Sequence, residues 1–423
     1  MRALITCYGS GGDTYPFLAI ALALHHQGHE ARVLLNGHFL DTAHRLGVDA
    51  HASGESLGPQ VVADHPRYMD PWKGTMIVLK EIMTAHARPD YAALLEHAES
   101  FQPDVIVGHQ VSFAAPWAAE TLGVPFATTA IAPTGWPSID NPSQFPGMPD
   151  RDTYPRFATK LGTMMARWTM SRALDGPLNT IRAELGLPAQ RDFLLERCFA
   201  GAANLGLWSP AFRPPVSDDP PNSTVAGFPF LPDAPAAPEV DEFLDHFATE
   251  GRPAIVVSLG TTVVHLGERI YAAAAEACAA MDRPALLLVG TEAACARLAP
   301  LPADVMAYPA APHGAVFPRA ACAIHHGGIG STAQSLRSGR PAVVIPHAHD
   351  QFDNARRCRM LGQSITLPKR RANAGGIRRA IEAALQLTGG AHQIGKRVRR
   401  EGGPACAAEA IAGLAISSPT VPT

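Results

Sequence analysis

Cysteine is sparse in this 423-residue chain: seven residues, odd in number, scattered, and never spaced Cys-x-x-Cys. That argues against a disulfide framework or a cysteine zinc site and predicts reduced thiols in a cytoplasmic setting. No apolar run reaches the roughly 18–20 residues that a membrane span requires. The first strand-like run, Ala3–Cys7, has no basic n-region or apolar h-region ahead of it, so no signal peptide is expected. Charge is also scarce, 17% of residues with a net value of −3, and offers no clustered basic face for nucleic acid. What the chain does have is apolar content, 47%, in a length too great for one ordinary core. Two domains are the expectation.

The apolar runs fall into two alternating series. Ala3–Cys7, Arg32–Leu35, Asp104–Gly108 and Phe126–Ile131 read as short buried strands, with helical stretches such as Phe17–Gln27 and Phe113–Leu122 between them. The pattern restarts at Ala254–Leu259 and continues through Ala285–Val289, Ala321–His325 and Ala342–Ile345. Strands and helices alternating at this spacing predict parallel sheets with crossover helices. The fold class expected is therefore α/β, with two doubly wound Rossmann-like domains. Proline density between Gly227 and Pro238 can sustain neither element, so an interdomain linker is placed at 227–240. The domains are then 1–226 and 241–416, with a flexible tail at 417–423. Arg156 to Leu185 reads as a longer helical stretch.

Two blocks carry the chemistry. His325-His326-Gly327-Gly328-Ile329-Gly330-Ser331-Thr332 follows a buried strand and opens a helix near Ser331. Glycines there bring backbone N–H groups close to an anion, and the helix N-terminus adds favourable partial positive charge. Shortly after comes His349-Asp350-Gln351-Phe352-Asp353-Asn354, a carboxylate and an amide in tandem, suited to a polyhydroxylated ligand. A phosphate cradle beside a hydroxyl reader implies a sugar nucleotide.

These residues resemble the donor-binding signature of family 1 nucleotide-sugar glycosyltransferases. Gly9-Ser10-Gly11-Gly12-Asp13-Thr14-Tyr15-Pro16-Phe17 is similar to the glycine-rich start of bacterial and sterol-type members. The stretch 326–341 looks closer to sterol and macrolide enzymes, while 350–355 and the chain length resemble the rhamnosyltransferases of rhamnolipid synthesis. The resemblance implies the GT-B architecture, two domains across a cleft, with ligands at the C-terminal strand edges. It matches His326 to the phosphate-contacting histidine, with Gly328, Gly330 and Ser331 beside it, and Asp350 and Gln351 to the residues gripping the donor sugar. Ser258, Gly260 and Thr261 fall where a second loop touches the phosphates. Asp353 and Asn354 are weaker matches, and His325 reads as structural.

The N-terminal loop is not a dinucleotide fingerprint, because the third glycine of G-x-G-x-x-G falls on Thr14. A carboxylate at the helix mouth also repels a pyrophosphate, yet it is well placed to take a proton from a sugar acceptor. In the family, a His or an Asp in this loop is the catalytic base, and the matching position is Asp13. Its plain alternative is an N-cap for a helix beginning near Tyr15. Relatives support a catalytic His with an Asp after a later strand; here that place holds His109, either a partner for the base or an ordinary loop residue.

Two departures bear on the donor. Eight positions after His326, where many UDP-using members carry a Glu for the ribose, the chain has Gln334, which leaves UDP and dTDP both open. The tryptophan that stacks on the base in plant relatives is missing; Tyr308, Pro309 and the Pro312-His313 turn are the local candidates, with Tyr308 slightly preferred. All five tryptophans (Trp72, Trp117, Trp136, Trp168, Trp208) lie in the N-terminal half, and Trp72 and Trp136 are the candidates for an apolar acceptor such as a hydroxy fatty acid, sterol, polyketide or flavonoid.

No metal site or resident cofactor is expected: Asp350 and Asp353 lack a third ligand, and His347 and His349 lack acidic or cysteine partners. The basic run Lys396–Arg400 either touches an anionic membrane face or is solvated and ion-paired. The reading is an inverting, metal-independent hexosyltransferase, in the cytoplasm or peripheral at the inner membrane face. A sugar-nucleotide epimerase of the same fold and a non-catalytic nucleotide-binding partner are the alternatives.

Overall fold

The structure is a computed structural model that describes residues 1–58 and 60–417. Two fully parallel sheets organise it. The first runs β3-β2-β1-β4-β5-β6-β7, from β1 (Arg2–Thr6), β2 (Glu30–Leu35), β3 (Asp49–Ala52), β4 (Val105–His109), β5 (Phe126–Ala130), β6 (Ala203–Gly206) and β7 (Ser223–Val225). The second runs β10-β9-β8-β11-β12-β13, from β8 (Ile255–Ser258), β9 (Ala285–Leu288), β10 (Val305–Tyr308), β11 (Cys322–His325), β12 (Ala342–Val344) and β13 (Ser364–Thr366). Strands such as β4 and β8 are buried along their whole length, as expected where helices cover both faces of a parallel sheet. The sequence reading missed β3, β6, β7, β10 and β13, short edge and near-edge strands whose apolar runs are too brief to stand out.

Each sheet reverses direction once. The chain winds outward from β1 to β3 and returns to β4; it winds outward from β8 to β10 and returns to β11. Crevices therefore open between the ends of β1 and β4 and between those of β8 and β11, the places where doubly wound sheets take ligands.

Gly227 to Ala237 is irregular, and a helix begins at Pro238 inside the expected linker, with proline at its first turn. The last helix, Pro404–Ser417, alters the expected division at its C-terminal end. It packs on helix Gly11–His26 and puts Ala407, Ala408 and Ile411 into the core around Phe17 and Ile5, so the chain returns to the first lobe to finish it. The tail expected from 417 lies outside the described residues except for Ser417, which ends this helix.

The lobes share apolar surface. Trp136, Trp208, Phe212 and Phe228 of the first pack with Ile329, Leu336, Cys358 and Val398 of the second. A polar strap reinforces this contact. Asp353, fully buried, accepts from the Gln144 backbone N–H and from Arg357, while Arg356 donates to the carbonyls of Arg151 and Asp152.

Candidate active site

The loop after β1 enters helix Gly11–His26 with Ser10, not Asp13, at the N-cap. Asp13 sits in the first turn, where its carboxylate accepts from both the N–H and the hydroxyl of Ser10 at 2.8 Å. The expected helix start near Tyr15 is thus corrected by one turn. Gly9 makes the turn possible: it holds φ +143°, and a Cβ there would lie 2.5 Å from the Asp13 carboxylate. The capping bonds use Oδ2 and leave Oδ1 toward His109, whose Nε2 is 3.9 Å away.

His109 ends β4, so the two residues flank the first crevice. The Val111 N–H donates to His109 Nδ1 at 3.1 Å, which leaves the ring proton on Nε2, facing Asp13. Burial pushes the His109 pKa down, and the attraction of Asp13 offsets this only in part. A neutral ring with Nδ1 already accepting and Nε2 protonated has no lone pair for a substrate proton. Asp90, which sequence reading passed over, anchors the loop that carries His109. It is buried and accepts from Thr6, Ser53 and Ser112 hydroxyls at 2.7–2.8 Å. Its signal was an acid deep in an otherwise ordinary helix, legible only once the helix has a neighbour.

Across the cleft, β8 and β11 flank the second crevice and deliver Gly260 and His326. The His326 ring is wedged between two glycines. A Cβ on Gly260 would approach it to 2.4 Å and one on Gly328 to 2.3 Å. Gly260 also holds φ +71°, a region that disfavours side chains. His326 is buried with Nδ1 unpartnered, and burial together with His325, His347 and His313 drives its pKa well below the ordinary value. It is a neutral hydrogen-bonding group. His325 holds the turn, accepting from the Gly327 N–H at 3.1 Å.

Helix Ile329–Ser338 starts after Gly328, earlier than the expected Ser331, and no side chain caps it. Its first-turn amides lack intrahelical partners and so remain available. This end faces the N-terminus of helix Gly11–His26, since a Cβ on Gly330 would come within 3.8 Å of the Gly12 Cα. Two positive helix ends thus converge on one place.

The remaining donor candidates are more constrained. The Ser258 hydroxyl is bonded to His313 Nε2 at 2.8 Å, and His313 stacks on Phe317 with its pKa pushed down to about 4 by burial. Thr261 is exposed at the same loop. Ser331 is buried in the first turn of its helix, while Gln334, on the next turn, is partly buried with an unpartnered Oε1. Tyr308 ends the edge strand β10 and is partly buried against the apolar cluster that contains Val240 and Phe317.

Asp350 precedes helix Gln351–Met360 and accepts from Asn354 at 2.7 Å, and Asn354 also donates to the Gly327 carbonyl. Burial pushes the Asp350 carboxyl up to about 7, with Asp13 adding to the rise. Gln351 is less free than expected. Its Oε1 accepts from the His347 and Ala348 N–H groups, leaving the amide nitrogen to meet a ligand. His349 bridges the lobes through Nδ1 and the Thr75 hydroxyl at 2.9 Å, in a left-handed conformation, φ +56°.

The acceptor expectation is corrected at Trp136. Trp136 is buried between the lobes, edge-on to Trp208 at 4.8 Å, and presents no face to a ligand. Trp72 is exposed and lies on Gly147. A cavity of about 380 Å³ instead opens beside His109 along helix Ala114–Leu122, walled by Phe113, Pro116, Trp117, Phe126 and Phe193. In the basic run Lys396–Arg400, Val398 enters the interlobe core and Arg399 donates to the Arg337 carbonyl, while Lys396, Arg397 and Arg400 are exposed. Among the described residues, no group of three or more His, Cys, Asp or Glu is arranged to hold a metal ion. No helix there is long and apolar enough to cross a membrane.

Comparisons with known proteins bear on the fold. Residues 274–411 match the family model of the erythromycin biosynthesis protein CIII-like C-terminal domain. The 4'-demethylrebeccamycin synthase of Lentzea aerocolonigenes is 28% identical over 397 residues, 91% of each chain. The O-mycaminosyltylonolide 6-deoxyallosyltransferase of Streptomyces fradiae is 27% identical over 420 residues, 95% of each chain. The chain has the GT-B fold of natural-product glycosyltransferases. Solved structures share its fold: the kitacinnamycin glycotransferase (TM-score 0.72, 19% identity, 98% of each chain) and the glycosyltransferase VinC in complex with dTDP (TM-score 0.67, 20% identity, 99% of this chain and 100% of that one). A yeast sterol 3-beta-glucosyltransferase (Saccharomyces cerevisiae strain YJM789) is 26% identical over 430 residues, 95% of this chain but 34% of that longer protein. The residues that meet at the cleft come from five loops separated by up to about 340 residues, from Asp13 to Asp350.

Proposed function

We propose that this protein is a glycosyltransferase that moves a hexosyl group from a UDP- or dTDP-sugar to a hydroxyl of an apolar small-molecule or lipid acceptor, with inversion and without a metal. The observation that carries the reading is the convergence of Asp13 with the donor loop across the cleft, Gly12 against Gly330. In this reading Asp13 Oδ1 takes the acceptor proton, while the oxygen attacks the anomeric carbon opposite the nucleotide. His109, neutral, orients the carboxylate from 3.9 Å. His326 and the amides of 329–331 receive the departing diphosphate, where preorganised donors contribute about 3–4 kcal/mol each. The bound dTDP of VinC favours a nucleoside diphosphate donor, and the names of the Lentzea aerocolonigenes and Streptomyces fradiae relatives favour a natural-product acceptor. The apolar walls beside His109 suit such an aglycone. The free cysteines favour a cytoplasmic setting.

The test is incubation with a panel of UDP- and dTDP-sugars, with and without apolar alcohols, following diphosphate release and the anomeric configuration of the product. Acceptor-dependent release that survives chelation supports the reading. Epimerised sugar nucleotide, or binding with no turnover on any acceptor, overturns it.

A further inference from the structure

Exposed large apolar side chains are concentrated on one helix of the first lobe. Arg156–Glu184 carries Phe157, Leu161, Met164, Met165 and Trp168, each 54–76% exposed. Their spacing, i, i+4, i+7, i+8 and i+11, puts all five on one stripe. The opposite face, Thr159, Thr163, Ala166 and Met170, is the partly buried one, and Met170 packs on the core. The helix is therefore amphipathic in the reverse sense: it rests on small and polar residues and turns its large apolar ones outward.

Charge identifies what covers the stripe. No acid occurs between Asp152 and Asp175, whereas Arg156, Lys160, Arg167 and Arg172 do. At 100° per residue the first three fall along one flank of the stripe. Arg156 and Arg167 pair with acids of the protein body, Asp140, Asp192 and Glu196. Lys160 is exposed, and Arg172 lies over the Trp168 ring at 5.4 Å. A second copy packed stripe to stripe brings these basic flanks together, which is unfavourable. A bilayer surface with anionic headgroups accepts both the apolar stripe and its basic margin, with tryptophan at the level it favours.

We infer that helix Arg156–Glu184 docks this protein on anionic membrane surfaces through the stripe Phe157–Trp168. The inference stands apart from the transfer reaction. The experiment is co-sedimentation of the full chain with vesicles of phosphatidylcholine alone and of phosphatidylcholine with phosphatidylglycerol, at low and high salt. Binding is expected on the anionic vesicles, about tenfold weaker on neutral ones and weaker in salt. The double variant Leu161→Glu/Met165→Glu should lose it by about tenfold or more, with its melting curve and nucleotide affinity unchanged, since both side chains point to solvent. Lys160→Glu should reduce the preference for anionic lipid alone. Absence of binding by the parent overturns the inference, as does a dimer in sedimentation velocity that Leu161→Glu dissociates, which would assign the stripe to a second copy.

Discussion

Asp13 and His109 stand 3.9 Å apart, Oδ1 to Nε2, one following β1 and the other ending β4. The pair reverses the arrangement in which a loop histidine is the base and a strand-end carboxylate supports it. Here the backbone has occupied the histidine's acceptor nitrogen, so only the carboxylate remains able to accept a proton.

Asp13→Asn should therefore cut turnover by about 10² or more while leaving nucleotide affinity nearly intact. Steady-state kinetics and calorimetry check the two halves. Substantial residual activity removes Asp13 from the mechanism. Asn keeps an acceptor for Ser10, so the helix cap survives the change.

The glycine wedge around His326 gives a steric test. Gly328→Ala places a methyl group where the ring now lies, and Gly260→Ala does so from a strained backbone as well. Both should weaken UDP or dTDP binding by about tenfold or more, as His326→Ala should, because a displaced ring loses a hydrogen bond to charged phosphate worth about 1.5–3 kcal/mol. Nucleotide affinity unchanged in all three variants would mean that His326 is structural.

Asp350 predicts a pH effect. Its folded pKa, about 7, lies above the ordinary carboxyl value, so the folded state binds the proton more tightly than the unfolded chain. Its contribution to stability is most favourable below pH 4 and is lost progressively as pH rises to 7. Asp350→Asn should melt higher than the parent at pH 8, by on the order of 1–3 kcal/mol, and match it near pH 4. The same variant should impair use of the intact sugar nucleotide more than binding of free UDP or dTDP; equal loss of both would place Asp350 in the phosphate site.

Asp353 tests the interlobe strap. Asp353→Ala leaves Arg357 buried without its carboxylate and frees the Gln144 N–H, which should cost about 3–5 kcal/mol in thermal unfolding. A loss below about 1 kcal/mol would show that the lobes are held by the apolar interface around Trp136 and Phe228 alone.

The strands that the sequence made legible are those buried on both sides, β1, β4, β8 and β11 among them, because a continuous apolar run of that length bounded by glycine fits little besides a buried strand. These strands also bracket the two crevices, so Asp13, His109, Gly260 and His326 could be named in advance. Edge strands were invisible because three or four half-buried residues carry no periodic signal.

The sequence by itself determined which backbone positions can approach an anion, since glycine before a helix is a local property of φ and of a missing Cβ. It also determined the alternation that builds two parallel sheets. Only the tertiary structure decided which side chains are spent and which remain free. Trp136 is consumed by the lobe interface, the Gln351 carbonyl by two loop amides, and Ser258 by His313. Tertiary structure likewise turned the stripe of helix Arg156–Glu184 outward, where helical spacing alone would have sent it to the core. The reason is common to all four: a hydrogen bond or a buried face is made once, and which partner takes it depends on residues distant in the chain.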